Sequence, residues 1–169
     1  KCVADIASNF TTNRMLIDYE ERFYNKLAQR KKLMLDKNYI MARQIAAWKR
    51  KVSAAWDNIV IRDVKRAEIE SEAMYVGKKY HFELTIDLAG LQKEDIGAEL
   101  VVATQIEAGQ AANVVETRRL EIVASDDKSV TLALDYAPEH TGMFDVALRV
   151  FPVNDNLEHR MDFALVKWA

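Results

Sequence analysis

The stretch Tyr80-His81-Phe82-Glu83-Leu84-Thr85-Ile86-Asp87-Leu88 decides the fold of the larger part of this chain. Apolar and polar residues alternate along it without a break. Because successive side chains of a β-strand point to opposite faces, this period of two predicts a strand with one buried and one solvated face. Ala89-Gly90 then ends the strand.

Similar patterns surround this strand on both sides. One begins at Ile59-Val60-Ile61, and the others cover 97–106, 114–123, 130–136, 143–151 and 161–168. Turn signals such as Asp126-Asp127 and Thr141-Gly142 separate them. About seven short strands in a segment of this length favour an immunoglobulin-like sandwich, with a small barrel as the alternative. The chain has one cysteine, so the disulfide pattern of an antibody-type domain is excluded.

The N-terminal third has a helical period instead. Thr11-Thr12-Asn13 supplies N-cap side chains, and Asp36-Lys37-Asn38 interrupts the pattern. We therefore expect an antiparallel helical hairpin over residues 1–57, followed by an all-β domain over 58–169, which is an α+β fold. Two apolar stripes run along the first helix and one along the second. They are Leu16, Tyr19, Phe23, Leu27 and Met34; Ile17, Tyr24, Ala28 and Leu35; and Met41, Ile45, Trp48, Val52, Ala55 and Trp56.

The two stripes of the first helix predict burial on two sides, which a lone hairpin does not provide. The second side would be covered by the β domain or by a partner outside this chain. If that partner is absent, we expect the exposed apolar surface to pair with a second copy as a homodimer.

Composition narrows the class of protein. Of the 169 residues, 50% are hydrophobic and 30% are charged, and the net charge is −2. Residues 1–66 hold 15 basic and 7 acidic residues, whereas 67–169 hold 9 and 19. No apolar run approaches the roughly 20 residues of a membrane span. The single cysteine, Cys2, suits a reducing compartment, so we expect a cytoplasmic protein.

No complete catalytic or metal site is visible. His81 and Glu83 share one strand face and could bind a metal or transfer protons, although a solvated face is the favoured interpretation. Glu94-Asp95 and Asp126-Asp127 could imitate a glycosidase dyad, but acidic pairs beside turns more often cap them. His159 falls in a loop. The sequence has no zinc motif, nucleophile elbow, P-loop or GxGxxG pattern.

Two kinds of binding surface remain open. The basic segments 29–32 and 49–51 could meet phosphates, although docking to acidic protein surface is favoured and nucleic acid is not expected. Exposed aromatic rings could instead stack on sugars. The carbohydrate-binding candidates are Tyr75 and Trp168, with Tyr136 as a further aromatic residue of this kind.

The segment Asp5-Ile6-Ala7-Ser8-Asn9-Phe10-Thr11-Thr12-Asn13-Arg14-Met15-Leu16-Ile17-Asp18-Tyr19 resembles a stretch near the C-terminus of α-glucan (glycogen/starch) phosphorylases, most closely the bacterial branch. The resemblance covers residues 1–56. Thr141-Gly142-Met143-Phe144, Arg149-Val150-Phe151-Pro152 and the ending from Arg160 to Trp168 resemble the appended C-terminal domain of that branch.

The resemblance implies a parent enzyme that is a glycosyltransferase. That enzyme uses pyridoxal phosphate on a lysine and attacks α-1,4-glucan with phosphate to release glucose 1-phosphate. The cofactor lysine of the family precedes the matching motif, so no lysine of this sequence takes that role and we expect no cofactor in this part.

The prediction is therefore a non-catalytic C-terminal portion of an α-glucan phosphorylase. Its partners would be the upstream catalytic lobes, α-glucan or a second copy, and its β domain would serve docking, oligomerisation or glucan contact. The alternatives are a stand-alone carbohydrate-binding module and a protein-interaction sandwich.

Overall fold

The computed structural model describes residues 11–66, 74–104 and 113–169. The chain divides into two compact units, residues 1–47 and residues 48–169. Cys2, Ile6-Ala7 and Phe10, on which part of the sequence argument rests, lie outside the described residues, as do residues 105–106 of one predicted strand.

Residues 11–47, the described part of the first unit, are mostly helical. Helix α1, Thr12–Tyr19, begins where expected, since Thr11 Oγ1 accepts a hydrogen bond of 3.2 Å from the Arg14 N–H. A π-helical turn, Glu20–Tyr24, leads into helix α2, Asn25–Trp56. The Thr11 cap predicted from the sequence is thereby confirmed.

Helix α2 is interrupted at the predicted turn. Asp36 leaves helical geometry (φ −61°, ψ 150°), and Lys37, Asn38 and Tyr39 adopt left-handed φ values of 46°, 58° and 63°. The Asp36 carboxylate accepts from the Lys37 N–H at 2.9 Å, which is a local contact that supports a turn. The antiparallel packing of the two helical segments stays a prediction.

Both apolar stripes of the first helical segment are largely exposed in this chain. Met34 is half-buried, and the exposed fractions of the other large side chains run from 45% for Ile17 to 61% for Tyr24. The exposed set also includes Leu16, Tyr19, Phe23, Leu27 and Leu35. Among the helices of the described residues, none is both long and apolar enough to cross a lipid bilayer.

The second unit contains eight strands in two antiparallel sheets. They are β1 (Val60–Arg66), β2 (Tyr80–Asp87), β3 (Ile96–Thr104), β4 (Val114–Arg119), β5 (Glu121–Ser125), β6 (Ser129–Tyr136), β7 (Phe144–Pro152) and β8 (Lys167–Trp168). The strand order is β1-β2-β6-β5 in the first sheet and β4-β3-β7-β8 in the second. The α+β class with an all-β C-terminal part is confirmed.

One hydrophobic cluster receives side chains from both sheets. Leu84 and Leu132 come from the first sheet, and Leu100 and Leu148 come from the second. The alternation of apolar and polar residues predicted for 80–88 is visible in β2, where Phe82, Leu84 and Ile86 are buried. The end of helix α2 belongs to this unit as well, because Val52 and Trp56 join the same cluster.

Two strand predictions were wrong in part. Segment 114–123 is two strands in different sheets, because the chain crosses at Leu120, whose side chain is 2% exposed and whose N–H donates to Ala98 O at 2.9 Å. Segment 161–168 is mostly irregular. It begins in a 3-10 turn, Arg160–Phe163, and only Lys167–Trp168 pair with β7.

Candidate functional site

The strand register places four side chains in one row across the second sheet. Glu99 on β3 lies opposite Arg119 on β4 and opposite Arg149 on β7, and Arg149 lies opposite Trp168 on β8. Directly opposed residues of antiparallel strands share a face and lie close enough to interact. Neighbouring Leu100 and Leu148 point into the core, so this row lies on the outer face.

Glu99 is the centre of the row. It is 6% exposed and is the buried charged residue among those described. Arg149 Nε donates to Glu99 Oε1 at 2.5 Å, and Arg160 Nη1 donates to the same oxygen at 2.5 Å. A buried carboxylate is costly unless it is paired and hydrogen-bonded, and the two arginines meet that requirement.

A glycine opens the space beside this ion pair. A Cβ atom on Gly97 would lie 2.7 Å from Val153 Cγ2 and 3.1 Å from the Phe151 ring. The missing side chain therefore lets Phe151 lie across β3. The Arg160 guanidinium in turn lies over the Phe151 ring, 5.5 Å from its centroid, which fixes the loop that carries Arg160 to the sheet.

Trp168, one of the two predicted sugar-binding residues, ends this row. Its side chain is 58% exposed, and the Arg149 guanidinium carbon lies 5.6 Å from the ring centroid. Arg149 is therefore shared between a buried carboxylate and an exposed aromatic ring. That arrangement holds the ring in place while leaving much of it accessible.

Tyr75, the other predicted residue, lies elsewhere. It is 59% exposed and belongs to a turn before β2, where its N–H donates to the Tyr80 hydroxyl at 2.7 Å. Among the described residues, no ring contact joins Tyr75 to Trp168. Tyr136 is buried, and its hydroxyl donates to Glu116 at 3.1 Å. Burial, reinforced by Glu116, raises the pKa of Tyr136 to about 12, so it offers no platform to a ligand.

The His81 and Glu83 pair lies on the outer face of the first sheet. His81 Nδ1 is 2.7 Å from the Asp135 carboxylate, and that hydrogen bond raises the pKa of His81. Glu83 accepts from Lys65 Nζ at 2.5 Å, which lowers the pKa of Glu83. Across the described ranges no cluster of three or more His, Cys, Asp or Glu side chains has the geometry to hold a metal ion.

One acid of each pair beside a turn caps it. Asp126 accepts from the N–H groups of Lys128 and Ser129, and Asp95 accepts from the N–H of Gln92. His159 also caps a turn, since its Nδ1 accepts from the Met161 N–H at 3.1 Å. These groups are engaged in local structure.

Within the basic segment 49–51, two lysines make contacts inside the second unit. Lys49 Nζ donates to the carbonyl of Asp162 at 2.6 Å, and Lys51 Nζ pairs with Asp95 at 3.1 Å. These contacts hold the end of helix α2 to the turns around Asp95 and Asp162 of the same unit.

Trp168 was a candidate from the sequence, whereas Glu99, Arg149 and Arg160 were not among the candidate site residues. The signal available in the sequence was a charged residue inside each of two largely apolar strands, Glu99 in β3 and Arg149 in β7. Glu99 and Arg149 lie in contact because the register of β3 and β7 pairs residues that are 50 positions apart in sequence.

Comparison with known proteins relates the chain to phosphorylases. The family described as the glycogen phosphorylase C-terminal domain matches residues 56–169. The maltodextrin phosphorylase of Thermococcus litoralis is 27% identical over 98% of this chain and 19% of its own length. The glycogen phosphorylase of Mycobacterium tuberculosis is 27% identical over 82% of this chain and 14% of its own length.

No solved structure matches the chain. The chain spans less than a fifth of the length of these relatives. Because the family match covers all eight strands and most of the sequence, the chain belongs to the glycogen phosphorylase C-terminal domain family.

Proposed function

We propose that this chain is the non-catalytic C-terminal portion of an α-glucan phosphorylase, whose parent reaction releases glucose 1-phosphate from α-1,4-glucan with phosphate. The observation that carries the proposal is the exposed apolar surface of residues 15–40 in a chain that belongs to a phosphorylase family. The helical unit would bind the catalytic lobes of the same enzyme.

The size of that surface supports a permanent partner. Eleven large apolar side chains between Met15 and Ile40 are 45–61% exposed. Soluble monomers rarely expose contiguous apolar surface on this scale, and such patches mark interaction sites. Each buried leucine would contribute about 2 kcal/mol to the interface.

The lysines that the structure describes do not suit a cofactor role. Every lysine that the structure describes is exposed or half-buried. A lysine that forms a Schiff base is usually activated by desolvation or by a neighbouring cation in a pocket. We therefore assign pyridoxal phosphate to the parent enzyme and not to any residue of this chain.

The β domain is proposed to be an immunoglobulin-like sandwich that serves docking, oligomerisation or glucan contact. Its strand order supports this type. The two sheets of an immunoglobulin domain have the strand orders ABED and CFG, to which β1-β2-β6-β5 and β3-β7-β8 correspond. The shared hydrophobic cluster is what two facing sheets would produce. A cytoplasmic location stays a prediction.

The test uses the full-length phosphorylase that carries this chain. Leu16→Ser combined with Leu27→Ser should lower the rate of glucose 1-phosphate release by about tenfold or more, because two buried leucines are lost from the lobe contact. Lys26→Ser, which alters an exposed charge on the same helical segment, should leave the rate unchanged. An unaffected leucine double variant would contradict the proposal.

The alternatives give different results in the same experiments. A stand-alone binding module would bind maltooligosaccharide without any partner lobes and would tolerate both leucine changes. A protein-interaction domain would bind no glucan. A stable dimer of the chain in sedimentation, broken by Leu16→Ser with Leu27→Ser, would assign the apolar surface to a second copy.

A further inference from the structure

We propose that the outer face of the second sheet carries an α-glucan-binding site, with Trp168 as the stacking platform and with Arg119 and Arg160 as hydrogen-bond donors. The proposal rests on the proposed function, which makes α-glucan the polymer that the enzyme meets. It goes further by placing the contact on one sheet face and naming its residues.

The platform is exposed but held in place. Trp168 pairs with Arg149 through the strand register, and the Arg149 guanidinium lies over part of its ring. Arg149 is itself fixed by Glu99, so the ring is supported from below by a buried ion pair. A platform that is already ordered loses little side-chain entropy when a ligand binds. An aromatic ring with a free face suits the apolar face of a pyranose.

Donors for sugar hydroxyl groups flank the platform. Arg119 lies at the far end of the row, three strand spacings or about 14 Å from Trp168. Its side chain is exposed, and within the described residues no ion pair involves it. Arg160 keeps 42% of its side chain exposed although one nitrogen binds Glu99. A guanidinium carries five N–H donors, so each arginine retains donors for a ligand.

The aromatic ring, and not the charge balance, points to a sugar chain. Glu99 is buried and accepts from Arg149 and Arg160, so it offsets one of the three arginine charges and the face stays positive. A polyhydroxylated chain can use donors and acceptors alike. Inorganic phosphate has no apolar face to stack on Trp168, so an elongated row of donors that ends in an aromatic ring suits α-glucan better.

The test is a titration of the chain with maltoheptaose, followed by tryptophan fluorescence and by mobility in gels that contain glycogen. Trp168→Ala should weaken binding by about tenfold or more, and Arg119→Ala by about fivefold, the equivalent of one hydrogen bond. Trp168→Phe should restore much of the affinity. Tyr75→Ala and Lys128→Ala, which remove an exposed aromatic residue and an exposed cation elsewhere, should bind as the wild type does.

Three outcomes would overturn the site: a wild-type chain that does not bind maltoheptaose, unchanged binding in Trp168→Ala, or binding that glucose 1-phosphate displaces and high NaCl abolishes. Circular dichroism of each variant confirms folding, and Trp168→Phe keeps the test valid if Trp168→Ala unfolds. Failure of the proposed function can be distinguished from failure of the glucan-binding site. A full-length protein that releases glucose 1-phosphate while the chain binds no glucan refutes only the site, whereas binding without release refutes only the function.

Discussion

The indole Nε1 of Trp48 donates a hydrogen bond of 2.7 Å to the carboxylate of Asp95. Lys51 and the N–H of Gln92 donate to the same carboxylate, so three groups from two segments converge on one half-buried acid. Burial opposes ionisation of Asp95, but these three hydrogen bonds prevail and the pKa of Asp95 is lowered. This contact fastens the end of helix α2 to the turn that precedes β3.

Asp95→Ala should therefore destabilise the chain by about 2 kcal/mol, because it leaves the Trp48 indole N–H without its partner. Lys51→Ala, which removes only the exposed ion pair, should cost about 0.5 kcal/mol. Urea unfolding of both variants measures the difference. Equal losses would mean that the indole contact contributes little.

The same acid predicts a pH dependence. Because its pKa is lower in the folded state, Asp95 contributes stability above its ordinary value of 3.8, and the contribution is lost as pH falls through the lowered pKa. In Asp95→Ala, the free energy of unfolding should fall less steeply below that value. Parallel profiles for the wild type and the variant would contradict the assignment.

Gly97→Ala should destabilise the second sheet by about 1–3 kcal/mol, since the new methyl group would lie 2.7 Å from Val153 Cγ2. Val153 is β-branched and cannot readily turn away. In the double variant with Val153→Ala, the loss should be smaller than the sum of the two single losses. Thermal unfolding checks this, and strictly additive losses would argue that the two side chains do not meet.

Glu99→Gln should be more costly than Arg160→Ala. The first change leaves Arg149, whose side chain is 16% exposed, without its counter-charge, and we expect a loss of about 3 kcal/mol. The second removes a partly exposed donor and should cost about 1 kcal/mol. Denaturant midpoints give the comparison. The reverse order would mean that the loop contact, and not the buried pair, stabilises this face.

His81 should titrate above its ordinary pKa of 6.5, because the Asp135 hydrogen bond favours the protonated ring. Its contribution to stability is then present below pH 6.5 and is lost as pH rises through the folded value. Asp135→Asn should lower the pKa of His81 in an NMR titration. Asp145→Asn, on a strand of the other sheet, is the control and should leave it unchanged.

The sequence predicted the elements that local chemistry specifies. The Thr11 cap, the interruption at Asp36 and the alternation of β2 depend on neighbours within a few positions, and all three are present. The burial of Val52 and Trp56 followed from helical spacing in the same way.

The wrong predictions have long-range causes. Segment 114–123 looks like one strand because its apolar residues continue through Leu120, and only the pairing partners reveal that the chain changes sheets there. Glu99 and Arg149 escaped notice for the same reason. Each is a charged residue in a largely apolar strand, and its role depends on a partner that is distant in sequence.

The crossing at Leu120 also has a consequence for the way the second unit opens. A single buried residue separates a strand of one sheet from a strand of the other, so neither sheet can peel away without pulling on its neighbour. Slow amide hydrogens in β2 and in β3 should consequently exchange through the same opening event, which makes the two sheets one cooperative unit.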